Sequence, residues 1–148
     1  MTSKVITAFV TGVFFAFFLD FFFILGLFLN YIEAQGIDIY YNVLFADHQS
    51  FFLFFTLAGF LGYLFIFFKN SKITVIIFFA LLLLVNLTQI PFIGKGVGEM
   101  LFSKENQIIS SGKQTFIGTL VYEGRNKIWF EDDELQRIII IQKDSINE

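Results

Sequence analysis

The chain contains no cysteine, one proline, one histidine and one tryptophan. Without cysteine there are no disulfides, no thiolate metal sites and no thiol redox chemistry. The single histidine, His48, rules out a two-histidine metal centre, and no metal is expected. Charge is scarce too: Asp, Glu, Lys and Arg make up 16% of the 148 residues, against roughly 25% in soluble domains. The net charge of −3 gives none of the basic footprint that a nucleic-acid partner demands. Ser110-Ser111-Gly112-Lys113 lacks the first glycine and the hydroxyl residue after lysine that a phosphate loop requires. No cofactor is therefore expected.

What fills the chain instead is apolar: 56% of residues, with 24 phenylalanines. Phenylalanine is abundant throughout, so its clusters are not read as an aromatic cage. Three runs approach the roughly 20 apolar residues that cross a bilayer. They are Val5 to Leu29, Phe51 to Phe68, and Ile73 to Ile90, the last stopping at Pro91. In lipid, helices satisfy their own backbone, so the reading is three transmembrane helices. The first run far exceeds the ~7–15 residues of a cleavable signal, and no small-x-small site follows it. It is expected to be an uncleaved anchor.

Lys4 precedes the first run, and Lys69 and Lys72 sit in the short link between the second and third. The longer link, 30–50, has no Lys or Arg but carries Glu33, Asp38 and Asp47. Positive loops stay in the cytoplasm. The chain is thus expected in a bacterial cytoplasmic membrane, with its N-terminus on the cytoplasmic side and its C-terminal part on the extracytoplasmic side. Tyr31, Tyr40 and Tyr41 are expected at the outer interface, as belt aromatics.

After Pro91 the composition changes. Residues 91–102 hold three glycines, a lysine and a glutamate, and read as a linker or interfacial helix. Residues 103–148 read as short β-branched and aromatic runs separated by turn residues, a small antiparallel β module. The expected fold class is therefore membrane α-helical followed by a β module: 1–90, 91–102 and 103–148. About 45 residues make a marginal core, so the module is expected to lean on the membrane, on a second copy of the chain or on another protein.

One residue stands against the apolar background. In VFFAFFLDFFFILGLF (13–28), Asp20 is the only charge. Steps of four back from it give Ala16, Gly12 and Ala8, a stripe of small residues on one helix face. Such stripes let helix backbones approach closely. Ala8, Gly12, Ala16 and Asp20 together are the candidate surface for a partner helix. A second expectation is an internal polar layer of Asp20, Thr56 and Asn86, which come out at similar depth. An intramembrane carboxylate costs about 2.5–3.5 kcal/mol on insertion scales, so it should face protein, water or a partner. The chain supplies no Lys, Arg or His inside the apolar runs to neutralise it.

A lone aspartate in the first apolar helix after a short N-terminus resembles the proton-carrying subunits of ion-driven motors, the flagellar stator and the TonB-type energisers. The resemblance covers the Asp20 helix alone, and this chain has three apolar runs where those subunits have one span. It implies Asp20 as a proton carrier, the alternative to a partner-binding role. The leading expectation is a non-enzymatic accessory protein (assembly factor, chaperone or stabilising subunit) that binds an integral membrane protein through its first helix and its external β module, and an enzyme is not expected. Lesser candidates take structural readings: Gly59 and Gly62 as packing sites, His48 as an interfacial histidine, residues 131–134 as a solvated turn, and Trp129 as core or anchor.

Overall fold

The computed structural model describes residues 2–111 and 114–145. The elements are α1 (Thr2–Leu27), a π-helical turn (Phe28–Ile32), α2 (Tyr41–His48), α3 (Phe51–Ile66) and α4 (Ser71–Asn86). A 3₁₀ turn (Leu87–Gln89) leads to α5 (Pro91–Phe102) and then to β1 (Lys104–Ser111), β2 (Gln114–Glu123), β3 (Lys127–Asp132) and β4 (Arg137–Gln142). The chain combines apolar helices with a four-stranded antiparallel sheet, ordered β1-β2-β3-β4. Among the described residues two helices are long and apolar enough to span a membrane, or three if α2 and α3 count as one broken span.

The helix starts follow local chemistry. Ser50 Oγ and Asn70 Oδ1 accept the otherwise orphaned amides of Leu53 and Ile73, capping α3 and α4. Pro91 opens α5 at a position where a missing N–H costs nothing. α3, at 16 residues, is only about 24 Å long, short of the ~30 Å hydrocarbon layer. α2 meets it at 86°, so the second apolar run is extended by a helix lying across its end instead of along its axis.

α1 and α3 run antiparallel in close contact. A Cβ on Gly12 would overlap the Ala58 carbonyl, and one on Gly62 would overlap the Ala8 carbonyl. Ala16, Leu19, Ala58 and Leu61 form the buried centre of this seam. The pairing carries the end of α3 to the start of α1, so Lys4, Lys69 and Lys72 gather at one end of the bundle. The sheet stands at the other.

A second small-residue seam fixes α5. Gly94 sits against Asn30 and the Thr88 carbonyl, and Gly98 against the Tyr31 ring. Around that corner Asn30 donates to the Thr88 carbonyl (2.8 Å) and Gln89 to the Phe22 carbonyl (2.9 Å). α4, by contrast, buries little but Thr74, whose hydroxyl donates to the Leu64 carbonyl (3.1 Å) near the lysine end.

The sheet has two apolar faces. Leu120, Ile128, Phe130 and Ile141 pack together on one, with Ile109 and Phe116 beside them. On the other, Val121, Tyr122 and Trp129 join Ile24, Leu27, Tyr31, Leu44 and Phe102 in a single core that passes from strands into helices. A module this small thus finds its missing core in the helix ends of its own chain. Tyr31 closes the joint. Its hydroxyl donates to the Val121 carbonyl at 2.7 Å, and the residue is only 1% exposed. That corrects the expectation of Tyr31 as an interfacial belt residue. Tyr40 is exposed, as a belt residue would be, while Tyr41 packs on Phe21 and Phe28. Outside this core, Arg125 grips Asp47 Oδ1 with Nε (2.6 Å) and Nη2, tying the β2–β3 turn to α2.

Candidate functional site around Asp20

α1 places Asp20 one turn beyond Ala16, where the α1–α3 seam opens near the sheet end. There a cavity of about 470 Å³ lies between α1, the first two turns of α3, Val85 of α4 and the end of α5. Its walls are mainly leucine and phenylalanine. Its polar groups are Asp20, His48, Gln49 and Ser50. The last three come from the corner between α2 and α3, so the sharp bend delivers them to the carboxylate.

The cluster is arranged in order. The Gln49 side chain is the polar neighbour of Asp20. His48 Nε2 lies 3.2 Å from the Tyr122 hydroxyl, and its ring stacks edge-on against Phe102. Burial pushes the Tyr122 phenol up to about 12, Asp47 adding to the rise and Arg125 opposing it. The phenol therefore keeps its proton and can donate to His48. Among the described residues, two buried atoms at the cavity have no hydrogen-bond partner: Asp20 Oδ2 and Gln49 Oε1. Both are acceptors. Unpaired acceptors in an apolar setting are costly, by about 1–3 kcal/mol each, which marks a place for a donor.

The expected site residues separate here. Ala8, Gly12 and Ala16 are buried against α3, so the stripe's close-packing neighbour belongs to the same chain. No second helix can lie along it at the same time. This corrects their assignment as a surface for a partner. The layer of Asp20, Thr56 and Asn86 does not form. Thr56 is two residues from buried Ala58, about 200° around the helix, and is exposed. Its hydroxyl donates to the Phe52 carbonyl one turn back (2.7 Å), and Asn86 similarly donates to the Leu82 carbonyl (2.7 Å). Gly62 packs as expected, whereas Gly59 faces open space.

Other candidates fall into structural roles. Asp132 is buried and its Oδ1 accepts the amides of Glu134 (2.9 Å) and Leu135 (2.8 Å), closing the acidic turn. Among the described residues no cluster of His, Asp and Glu could hold a metal ion. Trp129 belongs to the shared core. Gly112 and Lys113, part of the discounted phosphate-loop segment, lie outside the described residues. Gln49 was not singled out by its sequence; its one signal is a polar position just before an apolar run.

A different surface remains unused. β1 is an edge strand with no partner on its outer side among the described residues. Ile108 on β1 and Ile117 on β2 are directly opposed, and are 68% and 52% exposed. By strand alternation they lie on the same face as Val121, the face the helix ends cover. No family model matches the chain, and no curated protein or solved structure matches it.

Proposed function

We propose that the protein is a non-enzymatic accessory protein of a bacterial cytoplasmic membrane, an assembly factor, chaperone or stabilising subunit that holds an integral membrane protein. In this reading α1, the bent pair α2–α3 and α4 cross the bilayer. The end bearing Lys4, Lys69 and Lys72 stays in the cytoplasm by the positive-inside bias, and the sheet lies outside.

The observation that carries the reading is the opposed, exposed pair Ile108 and Ile117 beside the edge of β1 that no strand among the described residues pairs with. Soluble sheets blunt such edges with charge, bulges or cover. Here charge and a register shift are confined to the start of β1, at Lys104 to Gln107, and the strand then presents Ile108 beside Ile117 as exposed apolar side chains. Edge strands recruit a partner's strand through backbone hydrogen bonds, with adjoining side chains supplying selectivity. The membrane part of the contact then falls to the outward side of α1, since its small-residue stripe is taken up by α3. Proton carriage is less well supported. From Asp20 toward the lysine end α1 offers no titratable side chain before Lys4, and its seam with α3 is filled by alanine and glycine.

The test is co-purification. Full-length protein isolated in mild detergent should bring down a discrete integral membrane protein, reduced at least about tenfold in an Ile108→Glu/Ile117→Glu variant, equivalent to about 1.4 kcal/mol. Both positions are on the surface, so the variant's Tm should match wild type. Equal recovery of the companion from both proteins, or recovery of the chain alone, would remove the reading.

A further inference from the structure

We infer that the cavity around Asp20 is a binding site for a single-chain amphiphile with an ammonium head group. The inference stands apart from the partner reading, because it concerns a different surface. Three observations carry it. The cavity, at about 470 Å³, is within the ~300–1,000 Å³ typical of small-molecule sites and is mostly apolar with a few converging polar groups. The polar groups left unsatisfied are both acceptors, Asp20 Oδ2 and Gln49 Oε1, so the missing element is a donor. Among the described residues no lysine or arginine lines the cavity, so the chain brings no cation of its own to the carboxylate there.

The walls define the rest of the ligand. Leu19, Phe23, Leu53, Leu57 and Val85 surround the space with hydrocarbon from three helices. An alkyl chain fills such a space, and a carboxylate with an adjacent amide oxygen holds an ammonium group by charge-assisted hydrogen bonds. A fatty acid would set its own carboxylate against Asp20. An alcohol would satisfy one acceptor without meeting the charge. His48 does not compete for the head, because its Nε2 is engaged with Tyr122.

The experiment uses the full chain in phosphatidylcholine nanodiscs at neutral pH, with dodecylamine, dodecanol and dodecanoate as probes. Thermal unfolding and direct binding are followed for wild type, Asp20→Asn and Leu57→Trp. Dodecylamine should raise the wild-type Tm and bind at least about tenfold more tightly than the other two probes. Asp20→Asn should lose that preference, and Leu57→Trp, which fills the cavity but keeps the carboxylate, should lose the response to all three. Equal binding of the amine and the alcohol by wild type would overturn the proposal. So would an unchanged amine response in Leu57→Trp, which also serves as the deciding variant if Asp20→Asn does not fold.

Discussion

Gly12→Leu should lower the stability of the full chain by about 4 kcal/mol or more, the range reserved for changes that break a specific packing device. At this chain length that corresponds to a Tm lowered by roughly 10 °C or more in detergent. The reason is geometric. A Cβ at Gly12 meets the Ala58 backbone carbonyl, which cannot swing aside as a side-chain tip would. The two helices must move apart, and in lipid no hydrophobic drive exists to restore the contact; packing is what holds membrane helices together. Gly59→Leu provides the contrast, because a Cβ there meets nothing within 4 Å. Its effect should stay within about 0.5 kcal/mol. Equal Tm losses for the two variants would mean that the α1–α3 seam is not the bundle's main support.

The second large effect is expected at the joint between helices and sheet. Phe102, the last residue of α5, sets its ring 5.6 Å from Tyr31, 4.7 Å from His48 and 5.6 Å from Tyr122. Phe102→Ala should cost about 3–5 kcal/mol, the usual range for a buried phenylalanine. It should also report on the sheet directly. Trp129 is the only tryptophan, and its ring lies 5.7 Å from Tyr122, one contact away from Phe102. Its emission should shift to the red as the joint loosens. A variant with normal stability and unshifted emission would show that the sheet does not depend on the helix ends for its core.

These two sites mark where sequence reasoning succeeds and where it stops. The three apolar runs and the strand runs 114–122, 126–131 and 136–142, each within a residue of β2, β3 and β4, were legible because their patterns run through continuous stretches of like residues. The stripe Ala8-Gly12-Ala16 was legible as a packing device, yet its partner was not. Choosing between another chain and α3 requires knowing which face α3 turns inward. α2 escaped notice because Tyr41–His48 has no charge segregation and almost no amphipathic bias, so nothing in its residues distinguishes a short helix from a link. The glycines of 91–102 look like helix breakers when counted. Spaced as Gly94 and Gly98 they are instead a contact face, a signal available in the four-residue interval. The site around Asp20 was half legible. The carboxylate announced itself, but Gln49 and His48 reach it only through the 86° bend, which no local pattern encodes.

The central claim is that the exposed edge around Ile108 holds another membrane protein. The most direct measurement is site-specific photo-crosslinking in the cells that make the full chain, with a photoreactive residue at position 108 and a second set at position 40. Tyr40 is also exposed and belongs to the segment before α2, not to the sheet. One discrete adduct with an integral membrane protein is expected from position 108 and none of that size from position 40. Lipid adducts alone at position 108, or the same products from both positions, would contradict it.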